Sequence, residues 1–151
     1  MNTTLSQRQG KYRRRLLSEG KCVRCRVEND RQGWYCTSCC SLIVLEHQKL
    51  KEEVFSHYGG KCACCGESVL VFLCIDHIDG KGAEHRRSIY PQRPWGGRSN
   101  GASGVKMYGW LKAHGYPEGF QILCFNCNSA KHILGVCPHQ SEKDSECHKN
   151  L

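Results

Sequence analysis

The stretch Phe120–Gly135, FQILCFNCNSAKHILG, carries a strand signal, a cysteine pair and a helix signal in direct succession. Its first part, FQILC, is apolar and predicts a short strand. Its remainder, FNCNSAKHILG, predicts a helix with Asn128 near the start and Gly135 placed to cap the end. Cys124 and Cys127 join the two parts with the CxxC spacing that puts two thiolates on one tight turn. The stretch therefore predicts a strand and a helix held together at a metal site.

A matching cysteine pair lies upstream, in the turn-rich segment GGKCACCGES (Gly59–Ser68). Cys62 and Cys65 have CxxC spacing, and Cys64 is a competing ligand beside Cys65. Together with the downstream pair, they complete the four thiolates of a tetrahedral Zn²⁺ site. Such a site supplies on the order of 10 kcal/mol of folding free energy in zinc-finger peptides, and a small, loop-rich module needs that contribution.

Three further segments lie between the two cysteine pairs. VLVFLCIDHI (Val69–Ile78) is rich in β-branched and aromatic residues and predicts a first strand. Residues 79–104 are rich in glycine and contain two prolines, so we predict no regular structure there. VKMYGWLKAHG, which ends at Gly115, predicts a short helix. Residues 59–136 are thus expected to form one small α+β module.

The N-terminal half contains a cysteine module of its own. Two CxxC pairs separated by ten residues predict a second structural Zn²⁺ site, with Cys40 as an alternative to Cys39; its ligands are Cys22, Cys25, Cys36 and Cys39. SLIVLEHQKLKEEVF, from Ser41, has apolar residues at helical spacing and predicts a connecting helix. The predicted organisation is a basic arm (1–21), a four-cysteine zinc module (22–45), a connecting helix (46–58), the core module (59–136) and a polar tail (137–151).

Thirteen cysteines in 151 residues dominate the composition. This density indicates either a disulfide framework in a secreted protein or metal sites in a reducing compartment. The N-terminal sequence MNTTLSQRQGKYRRRLL lacks the apolar segment of a secretory signal, and no apolar run is long enough to span a membrane. We therefore expect zinc sites in a cytoplasmic protein, in a host cell if the gene is viral, and no membrane partner.

The net charge of +8 is unevenly distributed. Residues 1–58 hold 11 Lys and Arg against 6 Asp and Glu, and residues 59–136 hold 9 against 5. Each Zn²⁺ bound by four thiolates adds a local charge of −2, so two sites would leave a net charge of about +4. Local clusters such as Arg13, Arg14 and Arg15 in the arm are therefore more informative than the total, and they favour contact with a polyanion.

The polar tail contains further metal-binding residue types. Cys137 and His139 form a CPH sequence, and Cys147 precedes His148. These four residues offer a third metal site, but their spacing is irregular. The sequence leaves this site open.

Asp76 and His77 end the first predicted strand, and Asn128 directly follows the last cysteine of the second pair. The succession of a CxxC pair, DHI at residues 76–78 and ILCFNCN at residues 122–128 resembles the HNH nucleases. These have a ββα-metal core, also called a His-Me finger, which cysteines clamp in a branch typified by phage recombination endonuclease VII. The resemblance covers residues 59–136 and leaves the N-terminal module outside. It implies a small zinc-stabilised α+β protein, with an HNH core preceded by a four-cysteine zinc module.

The resemblance also implies a role for individual residues. His77 would be the general base, while Asp76 and Asn128 would hold a catalytic divalent cation; other branches suggest His132 as a further ligand. The structural zinc ligands would be Cys62, Cys65, Cys124 and Cys127. A neutral imidazole can take a proton from water at neutral pH, and oxygen donors suit Mg²⁺ or Mn²⁺ whereas thiolates suit zinc. The expected activity is metal-dependent hydrolysis of DNA phosphodiester bonds.

Arg86 and Arg87 follow the catalytic motif and are expected to bind DNA phosphates, as are the arginines of the basic arm. His85, beside them, receives no role from the sequence. The alternative function is a non-catalytic zinc-binding module that recognises nucleic acid. Both functions predict salt-sensitive DNA binding, so only cleavage separates them. The preferred DNA structure and the choice between monomer and homodimer stay open.

Overall fold

A computed structural model of the chain describes residues 5–89 and 104–140. The elements in these ranges are helices α1 (Leu5–Ser18) and α2 (Thr37–His57), strand β1 (Leu73–His77), helices α3 (Gly82–Ile89) and α4 (Val105–Ala113), strand β2 (Phe120–Cys124) and helix α5 (Phe125–Leu134). The protein is therefore a small α+β structure, as predicted. It divides between Gln48 and Lys49 into two compact units, an N-terminal unit and a core unit.

The sheet of the core unit is one antiparallel pair. Leu73 lies opposite Cys124 at one end of the pair, and His77 lies opposite Phe120 at the other. Helix α5 begins at the residue after β2 and contacts both strands. Gly135, with a φ of 81°, caps the helix in a conformation that favours glycine. The predicted strand and helix of the stretch Phe120–Gly135 are both confirmed.

Strand β1 is shorter than the predicted strand Val69–Ile78. Residues Leu70–Phe72 form a single turn of 3₁₀ helix instead, and the side chains of Val71 and Phe72 are more than half exposed. The physical reason lies in the partner strand, because β2 ends at Cys124 and α5 begins at the next residue. Residues before Leu73 have no strand to pair with, and their β propensity has no effect.

The prediction that residues 79–104 lack regular structure is wrong for α3; residues 90–103 lie outside the described ranges. A turn follows β1, in which the Lys81 N–H donates to Asp79 Oδ1 at 3.0 Å and Gly80 has a φ of 74°. The sequence AEHRRSI then contains neither glycine nor proline and is free to form a helix. The breakers that suggested a loop lie on either side of it.

The interior of the core unit joins apolar side chains and cysteines. Phe55 of α2, Leu73 of β1 and Leu111 of α4 are at most 1% exposed, and α4 is a helix as predicted. Cys137, only 3% exposed, belongs to the same cluster. The segment predicted as a polar tail (137–151) therefore begins inside the core unit, where Cys137 is packed.

The N-terminal unit has a much smaller interior. Its buried residues outside α1 are Cys22, Cys36 and Cys39 among those described, with Tyr35 packed against them. Helix α2 begins at Thr37, four residues before the apolar segment that starts at Ser41 and nine residues before the predicted connecting helix (46–58). The Thr37 N–H at its start donates to Asp30 Oδ1 at 2.8 Å. Cys39 consequently lies in the first turn of that helix. Among the helices described, none combines the length and apolar character needed to cross a lipid bilayer.

Candidate functional site

The four thiols predicted for the N-terminal site lie together. The sulfur atoms of Cys22, Cys25, Cys36 and Cys39 are all within 4.8 Å of one another, and no disulfide joins them. A tetrahedral zinc with Zn–S bonds of about 2.3 Å holds its sulfurs about 3.8 Å apart. The sulfurs of Cys25 and Cys36 are 3.7 Å apart. This cluster could hold zinc, and Cys39 rather than Cys40 belongs to it.

The four thiols predicted for the core unit also lie together. The sulfurs of Cys62, Cys65, Cys124 and Cys127 are within 4.8 Å of one another, and those of Cys65 and Cys124 are 3.7 Å apart. Cys124 is also the N-cap of α5, and its sulfur accepts from the Cys127 N–H at 3.4 Å. This second cluster could hold zinc, and a zinc ion there would link α5 to the upstream turn that carries Cys62 and Cys65.

The turn that carries the first CxxC pair has the same backbone geometry in both four-cysteine clusters. The N–H of the leading cysteine donates to the carbonyl five residues later, at 2.8 Å for Cys22 and 2.7 Å for Cys62. The carbonyl of the same cysteine accepts from the N–H four residues later, at 2.9 Å in both clusters. The residue four positions after each leading cysteine has a positive φ, 66° at Arg26 and 82° at Gly66. Burial alone would raise the pKa of either leading thiol, but backbone N–H groups outweigh it and lower the pKa to about 6 at Cys22 and about 7 at Cys62.

The sequence predicted only part of a third cluster of possible metal ligands. Cys137 and His139 meet Cys64 and Cys127, with all four ligand atoms within 4.8 Å of one another. The partners suggested by the sequence, Cys147 and His148, lie outside the described residues. The available signal was the adjacency of Cys64 and Cys65, since two neighbouring thiols point in different directions and serve different sites.

Three predicted ligands of a catalytic cation line one cleft of ≈ 370 Å³: Asp76, Asn128 and His132. Asp76 comes from the end of β1, and the other two come from successive turns of α5. Carboxylate and amide oxygens are the donors that hard divalent cations prefer, so the donor types fit Mg²⁺ or Mn²⁺. Among the described residues, however, the groups of three or more His, Cys, Asp or Glu side chains close enough to share an ion are the cysteine clusters. Asp76 and His132 belong to none of these groups.

A lysine that the sequence did not single out lies in the same cleft. Lys131 Nζ is 2.6 Å from Asp76 Oδ2 and donates to the carbonyls of His77 and Ile78 at 2.8 and 3.2 Å. Gln121 Nε2 donates to the same carboxylate oxygen at 2.8 Å. The Asp76 and Lys131 side chains are only 12% and 22% exposed. Asp76 is therefore already paired with a positive charge.

His77 lies in a different cleft from Asp76, because neighbouring residues of a strand point to opposite faces. This cleft has a volume of ≈ 450 Å³ and is lined by His77, His85 and Trp110. His77 Nε2 lies 2.7 Å from His85 Nδ1, so one imidazole donates to the other. Burial, followed by the charges of His85 and Arg86, lowers the pKa of His77 and keeps its ring neutral at neutral pH.

Helix α3 approaches His77 closely at Gly82. A Cβ at this position would lie 2.8 Å from His77 Nδ1 and 3.2 Å from an Arg86 guanidinium nitrogen. Glycine is therefore needed here for close approach, which the sequence did not reveal. Arg86 and Arg87 are exposed on the same helix. On α1 of the N-terminal unit, Arg13, Arg14 and Arg15 are exposed as well.

The two clefts adjoin at Asp79, which lines both of them at the turn after β1. Hard oxygen donors lie on one side of this turn, and a neutral imidazole lies on the other. This chain matches no protein-family model, curated protein or solved structure. The chemistry of the two clefts is therefore the basis for assigning a function.

Proposed function

We propose that this protein is a metal-dependent endonuclease with a ββα-metal core that hydrolyses DNA phosphodiester bonds. The proposal rests on one juxtaposition: the antiparallel pair of β1 and β2, together with α5, brings Asp76 and Asn128 to one cleft, and His77 ends the same strand in the adjoining cleft. A carboxylate, an amide oxygen and a neutral imidazole are the groups that metal-assisted hydrolysis of a phosphodiester requires.

Asp76 and Asn128 would hold Mg²⁺ or Mn²⁺, with His132 as a further ligand. A cation bound there neutralises charge on the scissile phosphate and on the leaving oxygen. Because Lys131 and Gln121 both contact Oδ2 of Asp76, we assign cation binding to Oδ1. Lys131 thereby fixes the orientation of the carboxylate, and it also competes with the cation for the negative charge.

His77 would accept the proton of the attacking water. Its Nε2 is paired with Nδ1 of His85, which holds the imidazole at the end of β1. His85 is then a positioning residue that orients the base. Exposed arginines would bind neighbouring phosphates, Arg86 and Arg87 on α3 within the core unit. The N-terminal unit would add affinity through the arginines of α1.

Nicking of supercoiled plasmid by the zinc-loaded chain tests the proposal. We expect nicking with Mg²⁺ or Mn²⁺, and a loss of rate of at least about 10²-fold in Asp76→Ala and in His77→Ala. His47→Ala is the matched control, because His47 is an exposed histidine of α2 and should leave the rate unchanged. Circular dichroism of each variant confirms that the fold persists.

A second candidate, a non-catalytic nucleic-acid-binding module, is favoured by a specific observation. Two of the groups assigned to catalysis are engaged internally, Asp76 by Lys131 and His77 by His85. This candidate predicts salt-sensitive DNA binding without cleavage. If supercoiled, linear, branched and single-stranded DNA all stay intact with both cations while binding is retained, this candidate replaces the nuclease.

A further inference from the structure

Two cysteine clusters of the core unit share one thiol. The first cluster consists of Cys62, Cys65, Cys124 and Cys127, and the second consists of Cys64, Cys127, Cys137 and His139. Cys127 is a member of both and is 1% exposed. Its sulfur lies on the first turn of α5, between the knuckle upstream and the chain that follows the helix. The arrangement places one sulfur atom within reach of two ions.

The distances in the second cluster are those of zinc coordination. With bonds of about 2.3 Å to sulfur and about 2.0 Å to nitrogen, tetrahedral zinc sets sulfur and nitrogen ligands about 3.5 Å apart. His139 Nδ1 lies 3.4 Å from the sulfur of Cys127 and 3.5 Å from that of Cys137. Cys64 and Cys137 are only 2% and 3% exposed, so their thiols face each other and Cys127 rather than water.

We propose that the core unit holds a binuclear zinc centre in which the Cys127 thiolate bridges the two ions. Seven side chains then supply the eight positions of two tetrahedra, because Cys127 is counted in each. On binding two Zn²⁺, the six thiols release six protons to solvent and His139 binds as a neutral imidazole through Nδ1. Two ions with six thiolates leave a net charge of −2 on the centre.

A Cys127 thiolate shared by two ions accounts for side chains that a single zinc ion would leave without a role. A single ion in the first cluster would leave Cys64, Cys137 and His139 arranged around an empty position. The second ion binds Cys64, whereas the adjacent Cys65 binds the first ion. It also anchors the chain after α5, at Cys137 and His139, to the upstream knuckle. The helix is thereby fixed at both of its ends.

Native mass spectrometry of the full-length, zinc-loaded chain counts the ions. We expect three Zn²⁺, one in the N-terminal unit and two in the core unit. Cys137→Ser and His139→Ala should each lower the count to two, while circular dichroism stays close to that of the wild type. Cys74→Ser is the matched control: Cys74 lies in β1 outside the three clusters found among the described residues, and its hydrogen bond to the Leu123 carbonyl can be made by serine.

A wild-type count of two, or a count that Cys137→Ser leaves unchanged, overturns the proposal. The bridge itself is tested by ¹¹³Cd NMR of the cadmium-substituted chain. Two of its resonances should show scalar coupling to each other, since only a shared thiolate connects the ions through two bonds. Three uncoupled cadmium resonances would disprove bridging. Cys127→Ser should lose both core ions together, and if that variant fails to fold, the coupling and the Cys137→Ser count still decide.

Discussion

At the scale of single residues, Lys131 makes three hydrogen-bonding contacts in the candidate active site. Its ammonium group, on α5, contacts the Asp76 carboxylate of β1 and the carbonyls of His77 and Ile78. The ion pair with Asp76 is largely shielded from water, so screening weakens it less than a surface pair. In the proposed function, the same contact would weaken the binding of a divalent cation to Asp76.

Replacing Lys131 by methionine should have two opposite effects. Stability should fall by about 1–3 kcal/mol, because a mostly buried carboxylate loses its partner. Mn²⁺ should bind more tightly, because it no longer competes with an ammonium group. Denaturant titration measures the first effect, and calorimetric Mn²⁺ titration measures the second. Lys112→Met, which removes an exposed partner of Glu53, is the control, and equal Mn²⁺ affinity in wild type and Lys131→Met contradicts the assigned site.

Replacing Gly82 by alanine should disturb His77 directly. The new methyl group would lie 2.8 Å from the imidazole, so α3 or the ring must shift, at a cost of about 1–3 kcal/mol. Gly109→Ala is the matched control, because its Cβ meets no atom within 4 Å and alanine stabilises a helix interior by up to about 1 kcal/mol. Thermal unfolding of both zinc-loaded variants tests this, and a Gly82→Ala variant as stable as wild type contradicts the close approach.

Residue types and spacing predicted the two four-cysteine clusters, and the motif singled out Asp76, His77 and Asn128. Lys131, His85 and Gly82 were not predicted, because their importance comes from contacts across the fold. Lys131 becomes meaningful only when α5 is placed on the sheet. Gly82 looked like one more loop glycine until α3 was seen against His77.

At the scale of secondary structure, α4 contributes the apolar side chains that close the core unit. Leu111 is fully buried and Met107 is 5% exposed. Helices α4 and α5 and strand β2 were predictable because each has its own local signal. The length of β1 was not, because its partner strand sets that length, and α3 was hidden between glycine-rich neighbours.

Truncating Leu111 to alanine should therefore cost about 2–5 kcal/mol, through lost burial and the cavity left behind. Ile133→Ala on α5 removes a comparable aliphatic side chain that is 76% exposed, and it should change stability by less than about 0.5 kcal/mol. Chemical denaturation of the zinc-loaded variants gives both values. Similar losses in the two variants would show that α4 does not pack as described.

At the scale of the whole molecule, cysteines replace much of the interior that a larger domain would build from apolar side chains. This is clearest in the N-terminal unit, whose buried residues outside α1 are three cysteines of one cluster, among those described. Structural zinc sites supply folding free energy directly, and many small zinc domains unfold without the ion.

Removing zinc with a strong chelator should accordingly unfold both units. We expect loss of helical circular dichroism and of dispersed amide NMR signals. Added Zn²⁺ should restore both, whereas Mg²⁺ should not, because hard cations bind thiolates poorly. A chain that keeps its dispersed spectrum after complete zinc removal would show that the clusters are not structural.

The exposed arginines of α1 should set part of the DNA affinity. Changing Arg13, Arg14 and Arg15 together to glutamine should weaken binding and reduce its salt dependence, by about 0.9 in the logarithmic slope for each phosphate that the variant no longer neutralises. Fluorescence anisotropy at several salt concentrations measures both quantities. Arg24→Gln is a suitable control, because Glu46 already binds both terminal nitrogens of that guanidinium. An unchanged slope in the triple variant excludes α1 from the interface.

The direct passage from β2 into α5 has a consequence for how this chain tolerates insertions and deletions. No loop residue separates Cys124 from Phe125, so one added residue would turn the helix by about 100° about its axis. Asn128 and Lys131 would swing away from Asp76, and Cys127 would leave its fellow thiols. Substitution of Phe125, which is exposed, can be absorbed, but a change in the length of the junction cannot, and distant relatives should keep this interval unaltered even where the surrounding residues have diverged.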